Sequence, residues 1–190
     1  ALTSQKNNSL GGWRYNPTDS NADTSVSGAV LVGLLAARNA GIEVPDTAID
    51  KAISYYTKMT SASGQVAYAG LGGFDESLAR ISIAALVYSV AKRKDLPQFK
   101  STLGYLVNKV EFTGKSGFGW VNYQRYYQAQ ALFQGDVAAW ERWNKLLIRQ
   151  LKTSQQADGS FPGQHGASIS TSMSLLSLAL NYRLLPIYER

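Results

Sequence analysis

Two kinds of apolar pattern alternate along this chain. In the first, apolar residues recur at spacings of three and four and leave the remaining positions polar. Ile49, Ile53, Tyr56 and Met59 do so after Pro45-Asp46, Phe99, Leu103, Leu106, Val107 and Val110 after Pro97, and Val137, Trp140, Trp143, Leu147 and Leu151 after Asp136. That period lays one apolar stripe along an α-helix. A proline or a side-chain acceptor suits the first turn, where backbone N–H groups lack a partner inside the helix. In the third of these helices Glu141, Lys145, Arg149 and Lys152 take the opposite face, with Glu141 and Lys145 set for an i,i+4 pair.

The second pattern covers Thr24 to Ala40, Ser77 to Ala91, Tyr123 to Gln134 and Ser168 to Tyr182, segments nearly free of charge and rich in Ala, Ser, Gly and Leu on every side. A helix that is apolar or small all round predicts a buried helix. Gly41 and Gly135 stand where left-handed caps would end two of them. The four starts are about fifty and then about forty-five residues apart, which is an internal repeat. Each follows a glycine-aromatic turn: Gly11-Gly12-Trp13-Arg14-Tyr15, Gly64 through Tyr68, Gly117-Phe118-Gly119-Trp120, and Asp158-Gly159-Ser160-Phe161. Glycine allows the sharp turn and the aromatic ring wedges between helices. Alternating buried and amphipathic helices predict stacked αα-hairpins, all-α, with about four inner and three outer helices in a single domain over 1–190.

Composition narrows the chemistry. Hydrophobic residues make up 45% and charged residues 17%, which suits a packed core rather than a disordered tail. The formal charge is +6, but its densest cluster, Lys92-Arg93-Lys94, falls at the end of a predicted helix, where cations complement exposed carbonyls; no nucleic-acid partner is expected. The absence of cysteine excludes disulfides, thiolate ligands and a cysteine nucleophile. No run reaches the roughly 18 apolar residues of a transmembrane segment.

These turns carry a family resemblance. Leu151 to Phe161, Leu-x-x-x-Gln-Gln-x-Asp-Gly-Ser-Phe, resembles the Gln-and-Trp turn of the prenyltransferase and squalene-cyclase repeat superfamily, with Phe161 in the Trp position, and Gln5, Gly11 and Trp13 form a looser copy. Gly12-Trp13-Arg14-Tyr15, Asp23 to Gly28, Arg38-Asn39-Ala40-Gly41, Trp140 to Asn144 and Leu185-Pro186-Ile187-Tyr188 resemble bacterial proteins with that repeat and of undefined role. The resemblance implies an α/α toroid, here partial, and a secreted or periplasmic setting. A complete toroid has more hairpins, so the expectation is the C-terminal part of a longer protein, with the ring closed by a preceding region, a protein partner or self-association.

The residues by which such relatives react are missing. Cyclases of the superfamily carry an acidic proton donor where Ser20-Asn21-Ala22-Asp23-Thr24 has Ala22. Protonating an alkene needs a strong, shielded acid, and alanine supplies none. Asp23 itself reads first as a helix N-cap. The zinc site of the protein prenyltransferases needs Asp, Cys and His, yet this chain has one histidine, His165, and Ser170 where the family's histidine-bearing helix has its ligand. No metal and no cofactor is therefore expected, and Gly70-Leu71-Gly72-Gly73 lacks the lysine of a phosphate loop.

One constellation remains. Parallel inner helices in a toroid would gather their N-termini at one mouth, bringing together the candidate acids and bases Asp23, Asp75, Glu76 and His165 and the candidate ligand-binding residues Trp13, Tyr68, Arg80, Trp120, Arg125 and Tyr126, with Phe161 nearby. Helix N-termini favour anions, and aromatic walls with a few polar groups make a small-ligand pocket. The leading expectation is a non-catalytic repeat domain that binds a partner or ligand or supports assembly of a larger protein. Its alternative is a terpene-cyclase-like or lyase-like enzyme whose site is completed by another region or subunit.

Overall fold

The computed structural model describes residues 1–70, 72–111 and 120–182. The turn expected at Gly117-Phe118-Gly119 and the closing Leu185 to Tyr188 stretch lie outside them. The described residues form seven α-helices: α1 (Thr24–Asn39), α2 (Asp46–Lys58), α3 (Leu78–Val90), α4 (Pro97–Asn108), α5 (Val121–Gly135), α6 (Val137–Ser154) and α7 (Ala167–Ala179). Neighbours in sequence pair as hairpins, α1 with α2, α3 with α4 and α5 with α6. The odd-numbered helices stand side by side in chain order, α1 on α3, α3 on α5 and α5 on α7. Each even-numbered helix packs over the seam between two of them: α2 on α1 and α3, α4 on α3 and α5, α6 on α5 and α7.

Local chemistry fixes the helix ends. The Asp23 carboxylate accepts from the Val26 N–H at 2.8 Å, Ser77 Oγ from Arg80 N–H at 3.4 Å, and Asp136 from Ala139 N–H at 2.9 Å, each satisfying a donor the helix leaves open. Gly41, at φ +84°, ends α1 in a left-handed cap, with the Ile42 N–H reaching the Ala37 carbonyl. Lys92 takes the same conformation at the end of α3, φ +58°, without being glycine. Lys94 donates to the Gln134 carbonyl at 2.6 Å, so this cation complements the C-terminus of α5 rather than of its own helix.

Several expectations change. Gly135 is the last residue of α5 and has no left-handed backbone; a Cβ there would lie 2.5 Å from Leu103 Cδ1, so this glycine permits close approach of α5 to α4. Glu141 and Lys145 form no ion pair and both stand in water, where such a pair stabilises little. The four inner helices are not equally buried. Ile81 through Ser89 of α3 are all covered, whereas α7 exposes Ile169, Leu175 and Leu176, because α3 has inner-helix neighbours on both sides and α7 is the last of the row among the described residues.

The outer stripes read from the sequence face inward except at Val137, which stands exposed at the start of α6 where the helix has not yet reached the core. Ile49, Ile53, Tyr56 and Met59 from α2, Phe99 and Leu106 from α4, and Trp140, Trp143, Leu147 and Leu151 from α6 belong to one continuous core. Gly28 lets α1 approach α3 closely: any side chain there would collide with Ile83 and the Tyr56 hydroxyl. Tyr56 donates that hydroxyl to the Thr24 carbonyl, which pins the start of α1 over α2.

Candidate functional site

The glycine-aromatic turns follow one geometric rule. Gly11, Gly64 and Gly159 stand at equivalent places with φ of +89°, +88° and +85°. A Cβ on Gly11 would lie 2.7 Å from the Lys51 carbonyl of α2, and one on Gly64 would collide with the Ser101 carbonyl of α4, so these two turns are pressed against the backbone of an outer helix, whereas Gly159 has only the Gln155 side chain within 4 Å. Two residues later the side chain points inward: Trp13, Val66 and Phe161 are 3%, 0% and 5% exposed. Two residues later again it points outward in the first two turns: Tyr15 and Tyr68 are 71% and 39% exposed, and the fourth turn has Gly163 in this place; Trp120, just ahead of α5, is 64% exposed. The alternation is that of extended chain, in which successive side chains take opposite faces.

Backbone hydrogen bonds hold the turns to the helix starts. The Asp23 N–H donates to the Trp13 carbonyl at 3.0 Å and the Thr24 N–H to the Tyr68 carbonyl at 2.9 Å, so the first two turns flank the start of α1. The N-terminal ends of α1, α3 and α5 then enclose a cavity of about 550 Å³. Tyr15, Tyr68, Trp120, Tyr123 and Tyr127 supply five aromatic rings to its walls, Ser25, Val26 and Ala29 come from α1, and Ser77, Ala79 and Arg80 from the start of α3. A second hollow of about 210 Å³ continues between α5 and α7, past Trp120 and Tyr123 to His165, Ile169 and Met173. Trp120 belongs to both, and its ring lies 4.2 Å from that of His165.

Arg80 is the one cation among the described residues lining the larger cavity. It is 9% exposed, its Nη2 bonds Asp75 at 2.5 Å, and its guanidinium carbon stands 5.9 Å from the Tyr68 ring centre. Its buried Nε has no acceptor among the described residues. The Tyr15 and Tyr68 hydroxyls meet at 3.5 Å. That contact, with burial and the charge of Asp23, pushes the Tyr68 hydroxyl up to about 12.

The other candidates lie elsewhere. Asp23 is fully buried behind this wall; burial raises its carboxyl above the ordinary range despite the Val26 N–H, and its Oδ2 has no hydrogen-bond partner among the described residues. The Tyr55 hydroxyl is also buried with no partner among the described residues, and its proton is held more tightly by burial and by the Asp23 charge. Asp75 sits in water on Arg80, and Glu76 pairs with Lys109 at 3.3 Å beside a shallower hollow that includes Gln124. Arg125 turns from the mouth toward α6, donating to Gln150 Oε1 at 3.0 Å, and burial lowers its pKa. Tyr126 packs edge-on against Tyr127 at 4.9 Å, outside the described cavity lining. Trp13 donates its indole N–H to the Ala1 carbonyl at 2.8 Å within the core.

Of the expected ligand-binding residues, Tyr68, Arg80 and Trp120 share one cavity, while Trp13, Arg125 and Tyr126 are not among its described lining residues. Tyr15, Tyr123 and Tyr127 are the additions. Tyr15 was visible as the second aromatic of its turn, and Tyr123 and Tyr127 as an i,i+4 pair on one face of α5. Among the described residues, no group of three or more His, Asp or Glu is placed to hold a metal, and no helix is long and apolar enough to cross a membrane. No protein-family model matches the chain, and no curated protein matches it.

Proposed function

We propose that this chain is a non-catalytic repeat domain of α/α-toroid type that binds a ligand at the mouth formed by its inner-helix N-termini. The observation that carries this is the larger cavity, in which five aromatic rings and one buried arginine face an opening with no Asp or Glu among its described lining residues. Its volume falls within the usual range for small-molecule sites, and rings left in water at its rim cost solvation that a flat-faced ligand would recover. The placement of the carboxylates supports binding over acid–base chemistry: Asp23 is closed off, Asp75 is engaged by Arg80 and Glu76 by Lys109, and none of the three is among the cavity's described lining residues.

The test is a thermal-shift and tryptophan-fluorescence screen of sugars, isoprenoid alcohols, short oligonucleotides and peptides. It compares the natural chain with Ala29→Trp, which fills the cavity from an exposed position on α1. At least one class should bind the natural chain and lose at least tenfold in affinity to Ala29→Trp. Binding that Ala29→Trp leaves unchanged, or none from any class, refutes the cavity as the site.

A further inference from the structure

The mouth is longer than a single pocket. Its outward rings come one per repeat, Tyr15 ahead of α1, Tyr68 ahead of α3 and Trp120 at the start of α5, and packed helices stand about 8–10 Å apart. Trp120 carries the opening on into the hollow beside α7. A ligand matching this row is elongated and built from units with flat apolar faces. The rings are not a purely apolar surface, however. The tyrosines bring hydroxyls to the walls, and Ser25 and Ser77 add two more. These hydroxyls can exchange hydrogen bonds with a polar ligand, whereas an aliphatic chain offers them none. A pyranose presents a C–H face to an aromatic ring and hydroxyls at its edge, so it fits both kinds of wall group.

Arg80 adds a charge requirement. Its guanidinium is nine-tenths buried in the wall, Nη2 is held by Asp75, and Nε has no acceptor among the described residues. Nε is closed off within the wall, so a carboxylate in the cavity would accept from Nη1, which makes no hydrogen bond among the described residues. With no other cation in the described lining, the site provides for one anionic group rather than for the regular phosphates of a nucleic acid strand, which need a basic track. Resting on the ligand-binding reading above, we infer that the mouth binds a linear acidic oligosaccharide, with a uronic-acid carboxylate on Arg80 and sugar rings against Tyr15, Tyr68 and Trp120.

Titration calorimetry of the whole chain tests this with four probes: an oligogalacturonate, a neutral oligogalactoside of equal length, an oligothymidylate and a farnesyl alcohol. The oligogalacturonate should bind at least tenfold tighter than the neutral sugar. Arg80→Gln should erase that preference while leaving neutral-sugar affinity within about threefold, and Trp120→Ala should weaken both sugars tenfold or more. Asp75→Asn provides a second charge test at an exposed position: by releasing Arg80 it should strengthen oligogalacturonate binding severalfold at low salt and leave the neutral sugar unchanged. Equal affinity for the two sugars, or a preference for the oligothymidylate or the alcohol that Ala29→Trp removes, overturns the acidic glycan and leaves the cavity reading standing. Absence of binding by both sugars overturns the glycan whatever the other probes do; the wider screen then decides the cavity reading separately.

Discussion

Trp13 and Tyr15 are two residues apart in one turn, and the structure gives them opposite work. The first is buried among the helices with its N–H bonded to the Ala1 carbonyl, and the second stands at the rim of the cavity in water. Val66 and Tyr68 divide in the same way in the next turn. The inward residue of each turn therefore belongs to the stability of the repeat and the outward one to the surface it presents. Aromatic character alone does not distinguish them. What does is their place relative to the left-handed glycine that sets the direction of the chain.

This division can be broken by substitution. Trp13→Ala should destabilise the fold by about 3–5 kcal/mol in urea unfolding, the usual cost of removing a buried indole, and Tyr15→Ala by no more than about 0.5 kcal/mol. Similar losses at the two positions would sink the distinction. Gly64→Ala should cost more than about 2 kcal/mol, since φ is +88° and the new Cβ runs into the Ser101 carbonyl, whereas alanine at Gly33 meets nothing within 4 Å and should be neutral or stabilising by a few tenths of a kcal/mol.

Asp23 sharpens the comparison through pH. Its folded carboxyl is raised above the ordinary value of 3.8 by burial. The stability linked to its protonated form is therefore complete below the unfolded value and lost as pH rises through the folded one. Asp23→Asn keeps an N-cap acceptor and removes the charge, so it should flatten that decline and be at least as stable as the natural chain at neutral pH. Asp23→Ala should lose about 1 kcal/mol at neutral pH with the cap. Urea melts across the acid range check both, and an unaltered decline in Asp23→Asn would assign it to other groups. A small effect of the opposite sign is expected at Tyr55→Phe. Its hydroxyl is buried with no hydrogen-bond partner among the described residues, so thermal unfolding should show no loss and a gain of up to about 1 kcal/mol.

Much of the architecture was legible because helices are written locally. The stripes of α2, α4 and α6, the caps at Asp23 and Asp136 and the left-handed Gly41 all follow from spacing and residue chemistry within a few positions. The candidate site was legible in part. Tyr68, Arg80 and Trp120 could be placed at one end from the parallel arrangement of inner helices, but Arg125 could not be separated from them: which side of α5 meets α6 is decided by packing between helices distant in sequence.

By itself, then, the sequence determined an all-α chain of alternating buried and amphipathic helices, started by glycine turns at regular intervals. Only the tertiary structure decided which aromatics of those turns face the core, why Gly135 is needed against Leu103, and that α7, read from the sequence as a buried helix like α3, keeps Ile169, Leu175 and Leu176 exposed. The reason is that periodicity records what a residue requires of its own helix. Burial and access also depend on whether another helix stands beside it.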